Sequence, residues 1–234
     1  GIPKIQDKRK IYNYLLYTML EDSVDKGSTF YENIRQIEPA HYISIGPDKK
    51  ISKNKYWDIN YSEQTTISEK DACEKFKELF SLSVSRRLRS DVPVGSSLSG
   101  GLDSSSIVML IDRMKKDGRI QKTFSARFEN FVRDEGKFMQ MVINNSNVEP
   151  HFVFPTVESA IKNMQTISYH QEEPIGSTSV MAQYEVMKLA KENHIKVLLD
   201  GQGADEMLAG YKTYWLTYFH QLYSSDKKCY HSEK

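Results

Sequence analysis

The sequence predicts an α/β fold, a parallel sheet with helices on both faces. Short apolar runs near 94–98, 123–128, 151–154 and 196–199 alternate with helical stretches near 104–116, 135–145, 157–169 and 178–193. The runs are too short for helices and are bounded by polar or turn residues, so they read as buried strands. Strands that alternate with helices of this length are joined by crossovers, which makes the sheet parallel and covers both its faces. Neither an internal repeat nor a low-complexity segment interrupts the pattern.

A lead-in precedes the alternation. Residues 11–20 read as a helix, and 40–45 and 51–57 as strands around the turn at Gly46, Pro47 and Asp48. The polar stretch 60–66 is a candidate linker. Ser68 with Asp71 three residues on is a capping-box-like start, and it opens a long helix whose Phe76, Leu79, Phe80 and Ser83 face one way. Arg86, Arg87 and Arg89 load the far end of that helix, where cations complement the dipole on a solvated face; a phosphate contact is the less favoured role.

The helix after the first apolar run has Ile107, Val108, Leu110, Ile111 and Met114 at helical spacing, with Gly118 as a stop. The aromatics between Tyr211 and Tyr223 read as a helix that packs into a local core, with packing on a partner domain as the less favoured alternative.

Between the run at 94–98 and its helix lies Leu98-Ser99-Gly100-Gly101-Leu102-Asp103-Ser104-Ser105. Two glycines let backbone approach a ligand and tolerate positive φ. The amides that follow are unpaired at a helix start and favour negative charge. Hydroxyls add donors, and Asp103 supplies a carboxylate able to hold magnesium on phosphate oxygens. A plain Gly-Ser turn would account for the glycines but not for the ordered carboxylate and hydroxyls with a helix directly behind. The segment is not a Walker loop, because the Gly136-Lys137 pair is followed by Phe138 and lacks the upstream glycine. Nor is it a nucleophile elbow, since the frame from Gly95 ends in Ser99.

A second block follows the run at 196–199: Asp200-Gly201-Gln202-Gly203-Ala204-Asp205-Glu206, then Gly210-Tyr211. Asp205 and Glu206 fall at a helix start, where carboxylates also serve as simple dipole partners. A ligand role is favoured because Asp205 would lie at the C-terminal edge of a second parallel strand, facing the same crevice as Asp103.

These residues carry a resemblance. The S-G-G-x-D-S wording resembles the ATP pyrophosphatases, or PP-loop family, with an adenine nucleotide alpha hydrolase-like fold. With Asp91-Val92-Pro93 ahead and the second block behind, the chain is similar to the synthetase domain of the glutamine-hydrolysing asparagine synthetases. Smaller matches lie between, at Phe124-Ser125, Asp134-Glu135, Glu173-Pro174 and Gly176-Ser177-Thr178-Ser179. The lead-in looks like the end of the glutaminase domain that precedes the synthetase domain in this family. The implied domains are therefore 1–60, a glutaminase remnant, and 67–234, the ATP-pyrophosphatase domain.

The resemblance also implies a chemistry. ATP would bind along Leu98, Ser99, Gly100, Gly101, Asp103, Ser104, Ser105, Ala126, Asp200 and Gly201, with magnesium on Asp103 and Asp205. Aspartate would attack the α-phosphorus to give β-aspartyl-AMP and pyrophosphate, and glutamine-derived ammonia would then displace AMP. Catalytic roles fall to Asp103, Asp205 and Gln202. Some members carry glutamate where this chain has Gln202, and a neutral amide cannot serve as a base, which leaves open a different acid as acceptor. A non-catalytic ATP-binding fragment is the third alternative. The family's N-terminal catalytic cysteine has no counterpart, residue 1 being glycine, and its downstream lysine would fall beyond residue 234. The chain thus reads as an internal piece, incomplete for activity.

Composition bounds the remainder. A net charge of +1 gives no reason to invoke nucleic acid or an anionic membrane as partner. Cys73 and Cys229 are too few for a disulfide framework and lack metal-ligand spacing. With no signal peptide or spanning run, the expected location is cytoplasmic. A homodimer is among the assemblies this allows.

Overall fold

The computed structural model describes residues 2–60, 62, 65–115, 120–129, 131–132, 134–225 and 231. The chain divides into two compact units. One comprises Gly1–Cys73 with Val157–Met181, the other Glu74–Thr156 with Ala182–Lys234.

In the first unit, helix α1 (Lys8–Tyr17) starts earlier than the apolar spacing suggests, because Asp7 caps it by accepting the Lys10 amide at 3.0 Å. It also ends earlier, where Thr18 turns left-handed at φ 53°. Lys10 is buried; its ammonium donates to the Leu20 carbonyl at 2.9 Å and lies 5.2 Å from the centre of the Phe30 ring. Strands β1 (His41–Ile45) and β2 (Ile51–Lys55) pair antiparallel about the expected turn. Helix α5 (Val157–Gln171) and the segment after it belong to this unit, tied to α1 by the Tyr14 hydroxyl, which donates to the Ile175 carbonyl at 2.9 Å. The linker stretch 60–66 lies partly outside the described residues.

Helix α2 (Glu69–Arg87) opens as its sequence indicates, with the Ser68 hydroxyl accepting the Asp71 amide at 3.1 Å. The second unit is built on strands β3 (Val94–Ser97), β4 (Gln121–Ala126), β5 (Val148–Val153) and β6 (Val197–Leu199), all parallel in the order β5-β4-β3-β6. Pro150 sits within β5 because β5 is an edge strand, where a missing donor is tolerated. Helices α3 (Leu102–Met114), α4 (Gly136–Asn144), α6 (Thr178–Glu192), α7 (Ala204–Leu208) and α8 (Lys212–Ser225) complete the order. Gly118, expected to stop α3, lies outside the described residues; the helix ends at Met114, with Lys115 extended.

Side chains alternate across the sheet, so the strand registers assign its faces. Val94, Ser96, Thr123, Ser125, Phe152 and Leu199 share one face. There Val84 of α2 and Ile107 and Ile111 of α3 pack on Leu199 and Val94, while Val108 of α3 and Met139 of α4 pack with Leu98 and Phe152. The opposite face presents Gly95, Phe124, Ala126, Val153 and Leu198 to Val186 and Ala190 of α6 and to Ile195. Gly95 leaves the room this needs, since a Cβ there would lie 3.0 Å from both Leu198 and Phe124. Helices therefore cover both faces of a parallel sheet. One expectation fails: α8 forms, but none of its described residues is buried, and its aromatics contact one another, Trp215 edge-on to Tyr218 and tilted against Phe219. Among the described residues no helix is long and apolar enough to cross a membrane.

Candidate functional site

The site begins where β3 stops. The Leu98 amide still bonds the Phe124 carbonyl at 3.0 Å, prolonging the ladder by one residue, and the Leu98 carbonyl accepts the Ser125 hydroxyl at 2.6 Å. Leu98 itself is buried between α3 and α4. Gly100 then turns left-handed at φ 88°, a conformation in which a side chain is strained. Gly101 is the N-cap of α3, so Asp103, Ser104 and Ser105 lie in or beside its first turn rather than ahead of it.

Two of the serines close the loop on itself. Ser104 Oγ accepts the Ser99 amide at 3.1 Å, lies 2.9 Å from Ser99 Oγ and donates to the Gly101 carbonyl at 3.3 Å. Ser99 Oγ accepts the Gly101 amide at 3.2 Å. These hydroxyls shape the loop, and no side chain caps the first-turn amides of α3. Such amides have no helical partner and point outward, the arrangement that receives an anion. Ser105 Oγ is buried with no hydrogen-bond partner among the described residues.

The second loop follows β6. Asp200 accepts the Ser97 hydroxyl at 3.2 Å, linking the ends of the neighbouring strands β3 and β6. Gly201 rests on the first turn of α3: a Cβ there would lie 3.0 Å from the Ser104 nitrogen and 3.1 Å from the Asp103 Cβ. Absence of a side chain at 201 is what lets the two Gly-rich loops meet. Gly203 is left-handed at φ 91° and opens α7, whose first turn holds Asp205 and Glu206. Gln202 is exposed.

Leu98, Ser99, Gly100, Gly101, Asp103, Ser104, Ser105, Asp200 and Gly201 are thus brought together at the C-terminal edge of the parallel sheet, with Ala126 at the end of β4 next to the Ser125 that bonds Leu98. Asp205 stands in the first turn of α7. Its Oδ1 lies where a Cβ on Gly210 would stand, 1.8 Å from that position, so the Gly210 that follows α7 makes room for the carboxylate. Glu206 accepts the Tyr211 hydroxyl at 3.0 Å, which raises the tyrosine's pKa. Among the described residues no group of three acidic, histidine or cysteine side chains forms a metal cage.

Arg127 carries no signal of its own in the sequence. It forks onto Asp134, whose carboxyl is held down at about 2, chiefly by that guanidinium and then by the Phe128 amide. Only the Asp134-Glu135 pair was visible as a signal, and it named no partner.

The profile of the asparagine synthase family matches residues 75–228. The chain belongs to that family. Among its asparagine synthase relatives, asparagine synthetase [glutamine-hydrolyzing] 1 of Bacillus subtilis is 31% identical over 208 residues, covering 89% of this chain and 32% of that protein. The putative asparagine synthetase [glutamine-hydrolyzing] 2 of Methanocaldococcus jannaschii is 30% identical over 187 residues, 80% of this chain and 36% of that one. Amidase chyE of Penicillium rubens is 27% identical over 201 residues, 80% and 30% respectively. The chain spans about a third of the length of these curated relatives.

Proposed function

We propose that this chain carries the nucleotide-activating part of an ATP-dependent amide-forming ligase that releases AMP and pyrophosphate. The observation that carries this is the seat of Gly201 on the first turn of α3, which makes one site of two Gly-rich loops. In this reading the phosphates of ATP lie along Ser99, Gly100, Gly101, Asp103, Ser104 and Ser105, and the adenine lies against backbone near Leu98, Ala126 and Gly201. The loop is already closed by its own serines, so its amides are oriented before ligand arrives. Preorganised donors of this kind stabilise developing charge without reorganisation at the moment of reaction.

The acceptor acid is aspartate, as the names of the asparagine synthetase relatives support. Its side-chain carboxylate attacks the α-phosphorus, the bond to pyrophosphate breaks, and β-aspartyl-AMP forms. Ammonia drawn from glutamine then displaces AMP to give asparagine. Gln202, exposed at the site's edge, orients substrate or donates a hydrogen bond, because an amide cannot take up a proton as a base at neutral pH. Residues 1–60 are read as the end of a glutaminase domain and 67–234 as the ATP-pyrophosphatase domain.

Magnesium fits the donor set. Asp103 and Asp205 present hard carboxylate oxygens with no hydrogen bond or ion pair to another side chain among the described residues. Magnesium commonly takes one or two carboxylates and completes its shell with water and substrate phosphates, so a closed protein cage is not required. Held by Asp103 and Asp205, it would neutralise charge on the leaving pyrophosphate.

Calorimetric titration of the chain with ATP, followed by ATP–pyrophosphate exchange, tests this. ATP should bind, exchange should depend on aspartate, and Asp103→Ala should lower exchange by about a hundredfold or more, as for loss of a group that stabilises transition-state charge. Exchange that needs a different acid would assign another carboxylate-activating ligase, a reading that Gln202 leaves open. Failure of the folded chain to bind ATP or pyrophosphate would overturn both.

A further inference from the structure

The loop that follows β4 is braced from inside. Arg127 Nε donates to both carboxylate oxygens of Asp134, at 3.1 and 3.0 Å, and Nη2 donates to Oδ2 at 2.8 Å. The same carboxylate accepts the Phe128 amide at 3.0 Å and the Gly136 amide at 3.3 Å. The two side chains are 25% and 15% exposed, so solvent screens this pair far less than a surface salt bridge. The guanidinium also lies 5.9 Å from the centre of the Phe152 ring. It covers Gly136 so closely that a Cβ there would stand 2.1 Å from Cζ. A forked arginine with its partner oxygens on both sides has its charge committed; it is not a free cation waiting for a phosphate.

What the brace holds is Glu135, the residue between its two anchoring points, Asp134 and Gly136. A Cβ on Gly100 would lie 2.8 Å from the Glu135 carbonyl oxygen and 3.1 Å from the Glu135 Cβ. Glu135 is also the N-cap of α4, its carbonyl accepting the Phe138 and Met139 amides at 2.9 and 3.1 Å. The left-handed turn at Gly100 is therefore backed by a short stretch of chain that is fixed by the ion pair on one side and by a helix start on the other.

We propose that Arg127 and Asp134 are positioning residues for the loop from Ser99 to Ser105, holding Glu135 against Gly100 so that the loop keeps its internal hydrogen bonds and the uncapped first-turn amides of α3 stay aimed outward. The mechanical part concerns the loop alone; its consequence for ligand rests on reading that loop as a phosphate site. Neither side chain touches the nucleotide in this arrangement. Both act through the Glu135 backbone.

The test uses Asp134→Asn, which removes the charge at constant size, and Arg127→Lys, which keeps the charge but loses the fork. Amide hydrogen exchange of the ligand-free chain is read first. The Ser99 and Gly101 amides, both bonded within the loop, should exchange about tenfold faster in either variant, while those of α6 keep their wild-type rates. Affinity is read second: both variants should bind ATP and inorganic pyrophosphate about tenfold more weakly, and adenosine as wild type does, a split that general destabilisation would not produce. Unchanged exchange at Ser99 and Gly101, or equal weakening of ATP and adenosine, would overturn the proposal. If Asp134→Asn does not fold, Arg127→Lys decides it. Should the wild-type chain bind neither ATP nor pyrophosphate, the phosphate reading fails on that result, while the exchange rates still decide the brace.

Discussion

Asp134 accepts hydrogen bonds from Arg127 and from two backbone amides, and these favour its charged form. Its carboxyl is held at about 2 against an ordinary 3.8. A depressed carboxylate stabilises the fold in full above its unfolded value and loses that contribution as pH falls through its folded value. The sign is therefore definite. Asp134→Asn should be less stable than wild type at neutral pH, and the gap should close between 3.8 and about 2. Urea unfolding midpoints of both proteins across that range measure it; a gap that stays constant would show that the charge of Asp134 is not what stabilises. Legibility in the sequence differs from one residue to the next for the same physical reason. Gly100 and Gly101 were readable because backbone freedom is a property of the residue type. That Ser99 and Ser104 bond each other, or that Asp134 answers to Arg127, depends on side chains meeting in space, which one-dimensional spacing does not report.

The elements were mostly legible, and their ends were not. Apolar periodicity places α2, α3, α4, α5 and α6 and all four parallel strands, because burying one face is what makes each of them stable. Their termini depend on particular caps. Asp7 starts α1 ahead of its apolar stripe, and Gly101 starts α3 two residues sooner than the serine-rich run suggests. On the sheet's α6 face, Phe124 is 1% exposed and packs against Val186, Ala190 and Ile195, with the His151 ring stacked on it at 5.1 Å. Phe124→Ala would leave a cavity between sheet and helix, so the expected loss is about 3–5 kcal/mol. Equilibrium denaturation reads it, and a loss under about 1 kcal/mol would mean that α6 can collapse onto the sheet. For α8, periodicity indicated a helix but not its surroundings, since exposed and buried aromatics look alike in sequence.

For the whole molecule, the division into units is interleaved. Residues of Val157–Met181 join the N-terminal segment, although the strands and helices on either side of them build the parallel sheet. Local composition offers a break only around 60–66. A ligand that binds the folded state alone stabilises it by mass action. ATP at a hundredfold excess over its dissociation constant should therefore raise unfolding stability by about 2.7 kcal/mol, seen as a higher melting temperature in calorimetry. Adenosine at the same concentration should do much less if the phosphates carry the affinity. A melt that ignores ATP would count against the nucleotide site as a whole.

The sequence by itself determined the fold class, the family and the identity of the two Gly-rich loops. Alternating apolar periods, positive-φ glycines and ordered carboxylates are local properties, written in neighbouring residues. Only the tertiary structure decided how those loops become one place. Gly201 against Ser104, Asp200 under Ser97 and Glu135 behind Gly100 are contacts between residues far apart in the chain, made by the crossovers of a parallel sheet. The same sheet decided that Arg127 would brace a loop rather than stand as a free cation. Sequence lists the groups; the packing of strand ends sets which of them share a crevice.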